Sequence, residues 1–228
     1  MPPWGYEYYG DRPATPAGLS DSYSEEMGSD DECEDRSLNE RLTMGTTMVK
    51  PGNPAVSGAA TELPAVPLLK VKGELVPLPL IERSSTLERL VSIASPSPHG
   101  KGMETVRDPA VRSSLELPGE EVTFAHPSWQ SSLKTLLDRV ADGLGCKDGL
   151  LSAEPYKLLL YRKGDHFLAH RDTEKAPGMV ATLIVQLPSI YEGGELVVRY
   201  NGKSTTCDLG NGDSLAAQFE CHFAAHYA

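Results

Sequence analysis

With 228 residues, 39% of them hydrophobic, the chain is long enough for one good-sized core plus appendages, without dependence on disulfide or metal staples. Its net charge of -11 argues against a general nucleic-acid binder, which needs a basic face. No run approaches the roughly 18 apolar residues of a membrane span. We therefore expect neither a nucleic-acid nor a membrane partner.

The compartment is indicated by the start of the chain and by the cysteines. MPPWGYEYYG lacks a basic region followed by an apolar one, so no secretory signal is expected. The four cysteines form no Cys-x-x-Cys pair, which predicts neither a zinc ribbon nor a disulfide framework. They are Cys33, Cys146, Cys207 and Cys221. A reducing location, cytoplasmic or nuclear, follows.

Residues 1–65 are predicted to be a disordered acidic tail. Residues 1–50 hold eleven acidic and four basic residues, so -7 of the net charge lies there. Pro, Gly and Ser are abundant, apolar periodicity is absent, and Asp30 to Asp35 is the acidic block DDECED. The pattern indicates a solubilising tail, and a docking or modification segment is the alternative.

Residues 66–150 are predicted to be an N-terminal α/β support region. VPLLKVKGELVPLPLI alternates and carries a glycine at its bend, which predicts a short hairpin. STLERLVSIA predicts a helix capped by Ser84 or Ser85. HPSWQSSLKTLLDRVADGLG predicts a second helix, opened by Pro127 or Ser128 and ended by Gly143 and Gly145, whose apolar stripe packs on the following sheet.

Residues 151–228 are predicted to be the core, built of strands. YKLLLY is a strand, RKGDHF turns through Gly164 into a strand carrying His170 and Asp172, and MVATLIVQL is a strand covered on both faces. Asn201-Gly202 predicts a type I′ hairpin between ELVVRY and KSTTCDL. Short strands without crossover helices predict a mainly β (α+β) chain with a double-stranded β-helix, or jelly roll, beside the N-terminal helices.

The residues that suggest chemistry are His170 and Asp172. In a strand, side chains two positions apart share a face, about 6 to 7 Å apart along the backbone, so one metal ion can bridge them. Two histidines and one carboxylate with open positions are the ligand set of non-haem Fe(II) oxygenases. The pair also occurs by chance as solvated turn residues, so its surroundings decide between these readings.

Those surroundings are Tyr161, Gly164, Phe167, the run MVATLIVQLPS and the EGGEL turn. With His170 and Asp172 they resemble the Fe(II) and 2-oxoglutarate dependent oxygenases of the prolyl 4-hydroxylase-like type. The resemblance implies an Fe2OG dioxygenase domain that hydroxylates a protein or peptide side chain such as proline. It implies Fe(II) as cofactor, 2-oxoglutarate as co-substrate and ascorbate as a further reductant.

The resemblance also implies roles for single residues. His170 and Asp172 would ligate the iron, and Tyr161 matches a tyrosine that hydrogen-bonds the co-substrate in relatives, with a core tyrosine as the alternative. Phe167 stands where many collagen-type relatives have a tyrosine, so that hydroxyl contact is missing. His166 is expected at the rim of the site, and Arg171 and Lys175 flank it.

The third ligand is left open between two alternatives. His226 has a plausible separation from Asp172, but FAAHYA resembles the segment that in relatives runs into a stretch carrying the distal histidine. By the second reading, which we favour, the ligand and the basic residue that binds 2-oxoglutarate would follow Ala228. The core is then expected to be C-terminally truncated.

Two other functions are weighed. His222 and His226 are four residues apart, as in His-Glu-x-x-His zinc hydrolases, but Phe223, Ala224 and Ala225 provide no general base between them. A catalytically inactive jelly-roll binding module, or a non-functional fragment of an oxygenase, is the alternative to the enzyme.

Overall fold

The computed structural model describes residues 4–10, 52–101, 104–146, 151–172, 175, 177–207, 209–210 and 217–227. The acidic block Asp30–Asp35, and most of the turn predicted at GNGD, lie outside these residues. Within the described ranges the chain is mainly β, as predicted. No helix in these ranges is long and apolar enough to cross a lipid bilayer.

The largest sheet has seven strands, and each neighbouring pair is antiparallel. In spatial order the strands are β2 (Ala55–Ala59), β14 (His222–Tyr227), β11 (Met179–Gln186), β1 (Trp4–Gly10), β10 (Leu151–Leu160), β8 (Leu115–Pro118) and β5 (Ser95–Pro96). Strands from both ends of the chain therefore lie beside β11 in one sheet.

Three smaller antiparallel sheets accompany it. They consist of β4 (Glu74–Leu75), β3 (Leu69–Val71) and β9 (Val122–Phe124); of β6 (His99–Lys101) and β7 (Glu104–Val106); and of β12 (Leu196–Tyr200) and β13 (Lys203–Cys207). The β3–β4 hairpin at Gly73 was predicted and is confirmed. Short 3-10 helices occupy Gly119–Glu121 and Ala217–Phe219.

Both predicted helices are confirmed. Helix α1 spans Ser85–Ile93, and the Ser84 hydroxyl accepts a hydrogen bond from the Leu87 amide at its start. Helix α2 spans Trp129–Leu144 and ends at Gly145, whose φ of 81° lies in the left-handed region. The buried side chains of α2 share one core with those of β10, β11 and β14, so its apolar stripe packs on the large sheet.

Strand β11 is buried on both faces, as its continuous apolar sequence predicted. Leu183 and Val185 belong to the core under α2. On the opposite face, Ala224 of β14 packs with Ala55 and with Cys207 of the β12–β13 hairpin. That hairpin turns at Asn201 and Gly202, both with positive φ, as a type I′ turn requires.

The predicted disorder of residues 1–65 does not hold at Trp4–Gly10 and Ala55–Ala59, which form β1 and β2. Composition did not reveal these strands because their backbones pair with partners far away in sequence. Strand β1 lies between β10 and β11, and β2 extends the sheet beyond β14.

Candidate metal site beside β11 and β14

The segment between β10 and β11 carries His170 and Asp172 in irregular backbone, so the predicted strand at these residues was wrong. The predicted turn is present, with Gly164 at a φ of 85°. Among the residues of this segment that the structure describes, β-type backbone pairing is limited to one isolated bridge between Phe167 and Arg112. In the described part of this segment, no β-ladder reaches His170. The positions of His170 and Asp172 therefore depend on side-chain contacts and not on strand pairing.

Asp172 is the meeting point of three side chains. Its Oδ1 lies 3.3 Å from Nε2 of His170, and its Oδ2 lies 3.7 Å from Nε2 of His226. The Thr182 hydroxyl donates a 2.7 Å hydrogen bond to the same Oδ2. Two imidazoles and one carboxylate, the donor types of a facial triad, thus come together.

Strand pairing explains how His226 arrives there. Thr182 of β11 and His226 of β14 are direct partners in the antiparallel ladder. Directly opposite residues project to the same face with their Cβ atoms about 4.5 to 5.5 Å apart. The threonine and the histidine therefore reach Asp172 from neighbouring strands of one sheet.

Backbone carbonyls set the orientation of both imidazoles. Nδ1 of His170 lies 2.9 Å from the Leu168 carbonyl oxygen, and Nδ1 of His226 lies 3.0 Å from the Tyr227 carbonyl oxygen. A carbonyl only accepts, so each Nδ1 carries the proton. Each Nε2 therefore faces the Asp172 carboxylate and is the ring atom left for a proton or a metal ion.

The surroundings of Asp172 favour its charged form. Burial by itself raises the pKa of Asp172, but hydrogen bonds from His170 and Thr182, with the charges of the His226 and His170 imidazoles, lower it more. The net pKa lies well below the ordinary carboxyl value, so Asp172 is an anion at neutral pH. Protons on the imidazole rings or a bound metal ion are the two ways in which the histidines can balance this charge.

The other residues predicted for the site lie earlier in the same segment or beside Asp172 in sequence. Tyr161 is half-buried directly after β10. Phe167 stacks on His170, with ring centroids 3.6 Å apart. His166 is exposed, its Nδ1 lies 3.4 Å from the Ser113 hydroxyl oxygen, and its Nε2 lies 3.0 Å from the Ala110 carbonyl oxygen. Arg171 is exposed.

His222 is not part of the cluster. It lies on β14, four residues before His226, which corresponds to about 13 Å along a strand. Its ring is buried, and its Nδ1 has no hydrogen-bond partner among the residues that the structure describes. Because the two histidines lie on a strand and not on a helix, the His-Glu-x-x-His alternative has no structural basis.

Sequence reasoning missed Thr182 and Arg112. Thr182 is the one hydroxyl residue within the apolar run MVATLIVQL, and that polar interruption was the available signal. Arg112 had no such signal, because its proximity to Phe167 depends on a contact between segments about 55 residues apart.

Among the described residues, no three His, Cys, Asp or Glu side chains are already arranged to hold one metal ion. Comparisons with protein-family models, curated protein sequences and solved structures found no match to this chain. The arrangement of its own side chains is thus the basis for a functional proposal.

Proposed function

We propose that the chain is an Fe(II) and 2-oxoglutarate dependent dioxygenase of the prolyl 4-hydroxylase-like type, acting on a side chain of a protein or peptide. The observation that carries the proposal is the convergence of His170 and His226 on the two oxygens of Asp172. The sequence resemblance, which includes Tyr161 and Phe167, is the reason for proposing this reaction class. Proline is the proposed substrate residue.

His170, Asp172 and His226 would hold the iron. Metal bonds of about 2.0 to 2.2 Å place neighbouring donor atoms about 3 Å apart. The present separations from Asp172 are 3.3 and 3.7 Å, so modest ring movements would bring the donors to one ion. The His170 side chain is 41% exposed, so an ion can reach it from solvent.

If bound, iron would supply, together with dioxygen, the oxidising power for C–H hydroxylation, with 2-oxoglutarate as the co-substrate that is oxidised to succinate and carbon dioxide. The protein's own contribution is orientation and charge. The carbonyls of Leu168 and Tyr227 keep Nε2 of each histidine free for ligation, and Thr182 orients the carboxylate. Tyr161 is the proposed hydrogen-bond donor to the co-substrate.

A jelly roll is the proposed architecture of the core. Its support is the antiparallel pairing throughout the large sheet and the β12–β13 hairpin, which packs against β2 and β14 on the face of Ala224. His226 lies two residues from Ala224 and so projects to that same face. The candidate site therefore opens on the side that a second sheet would cover.

A non-catalytic binding module is the second candidate. It is favoured by the lack of a ready three-ligand group among the side chains that the structure describes. In that case protonated histidines would neutralise Asp172, and the cluster would be an ion-pair network within the fold.

Anaerobic titration with Fe(II), followed by a succinate assay with 2-oxoglutarate and proline-containing peptides, tests the proposal. We expect 1:1 Fe(II) binding that is lost in Asp172→Ala and His170→Ala. His126→Gln is the matched control, since it removes an imidazole bonded to Ser128 and away from the cluster. Absence of Fe(II) binding and of succinate in every form would exclude the oxygenase and leave the binding module.

The third ligand is tested separately. If His226 ligates, His226→Ala weakens Fe(II) binding as strongly as His170→Ala does. If binding is indifferent to His226→Ala but tightens when the chain is extended through any downstream coding sequence, the ligand follows Ala228. These two results assign the histidine without changing the reaction class.

A further inference from the structure

A short segment before β8, Ala110–Ser114, is hydrogen-bonded to the backbone that leads into His170. The Ser113 amide donates to the His166 carbonyl at 3.0 Å, and the Leu168 amide donates to the Val111 carbonyl at 2.9 Å. The Ser113 hydroxyl also accepts a hydrogen bond from the His166 amide. These bonds fix the position of His166–Leu168 two residues before the candidate ligand.

Arg112 lies in the middle of this hydrogen-bonded segment. It is 9% exposed, its Nε donates to the Ser114 hydroxyl at 2.9 Å, and its Nη1 donates to the Pro98 carbonyl at 3.0 Å. No carboxylate lies within ion-pair distance of it in the described ranges. Its guanidinium carbon is instead 4.3 Å from the centroid of the Phe167 ring.

A buried cation without an anion is costly unless its donors and charge find other partners. Here two neutral oxygens and one aromatic face provide them. A cation over a ring face is attracted to it, and the attraction is stronger when the cation is desolvated. The contact with the Arg112 guanidinium therefore favours one orientation of the Phe167 ring.

The orientation of Phe167 matters because His170 lies directly against it. The two rings are stacked, with an interplanar angle of 17° and centroids 3.6 Å apart. Nδ1 of His170 is held by the Leu168 carbonyl at the same time. The imidazole is therefore restrained in its plane by Phe167 and in its rotation by Leu168.

We propose that Arg112 is a positioning residue for His170, acting through the face of Phe167. Its role in metal binding rests on the proposed function, whereas its role in holding the imidazole does not. Freed from Arg112, the Phe167 ring would turn, and His170, at 41% exposure, would sample other rotamers. A ligand that must be ordered on binding gives a weaker site.

The first test reads the imidazole without metal. A stacked ring shifts the carbon-bound proton signals of His170 upfield, and NMR assignment by comparison with His170→Gln identifies them. We expect Arg112→Met to move these signals towards the values of free histidine. Phe167→Leu should do the same, and Phe167→Tyr should restore the stacked values because its ring is retained.

The second test uses Co(II) alone as an optical probe in place of Fe(II). Loss of a residue behind a metal ligand weakens affinity by about 10- to 100-fold, so we expect at least a tenfold loss in Arg112→Met. Arg139→Met is the matched control, since Arg139 also lies over an aromatic ring, Phe223, at 4.5 Å. It should leave both the His170 signals and the Co(II) affinity unchanged.

The outcomes separate the two proposals. Unchanged His170 signals in folded Arg112→Met would overturn the positioning role. If that variant does not fold, unchanged signals in Phe167→Leu would overturn it. If no form binds Co(II) or Fe(II) but the signals move as expected, the positioning role stands and the metal function fails.

Discussion

Thr182 donates a 2.7 Å hydrogen bond to Oδ2 of Asp172, and this bond ties the irregular segment after β10 to the middle of the large sheet. Thr182 is also the ladder partner of His226. One hydroxyl thereby sets the position of the candidate carboxylate ligand relative to a candidate histidine ligand.

Replacing Thr182 by valine keeps its shape and removes that hydrogen bond. We expect Fe(II) affinity to fall by about 10- to 100-fold, because partners of metal ligands have effects of that size. Thr182→Ser retains the hydroxyl and should bind nearly as the parent does. Equal Fe(II) affinity in the valine and serine variants, measured by anaerobic titration, would contradict the assignment.

The pKa of Asp172 predicts how stability depends on pH in the metal-free protein. Its pKa is lowered in the folded state, so its contribution is present above the unfolded value of about 3.9 and is lost as the pH falls through the lower folded value. Asp172→Asn should therefore flatten the dependence of unfolding free energy on pH below about 5. Urea unfolding at several pH values measures this slope.

Cys221 should be unreactive in the folded protein. Burial raises the pKa of its thiol to about 12, so at pH 8 only about one molecule in ten thousand carries the thiolate. We expect an aromatic disulfide reagent to modify Cys221 only after unfolding, as read by mass spectrometry of its peptide. Cys146 is half-buried and should react before it. Rapid labelling of Cys221 in the folded protein would contradict this prediction and would show that the backbone unfolds locally at the beginning of β14.

Two glycines with nearly equal φ provide a matched pair for stability. A Cβ at Gly210 would lie 2.3 Å from the buried His222 ring, whereas a Cβ at Gly202 would meet nothing within 4 Å. Both have φ near +75°, where alanine costs about 1 to 2 kcal/mol. Gly210→Ala should cost a further 1 to 3 kcal/mol or so from overpacking.

The comparison of the two alanine variants by chemical denaturation checks this prediction. Since backbone strain is common to both, the difference between them isolates the contact with His222. Equal destabilisation would mean that the imidazole moves aside at no cost and that its packing is loose.

Local patterns predicted most of the secondary structure. The helix of Trp129–Leu144, the Asn201-Gly202 hairpin and the buried strand Met179–Gln186 follow from apolar spacing and turn chemistry over a few residues. These features depend on neighbours along the chain. They are therefore written in the sequence and were read from it correctly.

For the candidate site, the sequence predicted the donor residues but not the contacts between them. The donor types of His170 and Asp172 were visible in the sequence, but the strand assumed to align them is absent. Only tertiary structure brings Thr182 and His226 to Asp172, through the pairing of β11 with β14. The register of two strands separated by some 35 residues depends on how both faces of the sheet are buried, and no local pattern states it.

What the sequence determined by itself is the set of helices, hairpins and donor residues, because short-range sterics and hydrophobic periodicity act on adjacent positions. What only the tertiary structure decided is which of those residues meet. Strands β1 and β2 joined the large sheet, and Arg112 came to lie over Phe167, through contacts between distant segments. Such contacts are selected by the burial and hydrogen bonding of the whole fold, and so no single stretch encodes them.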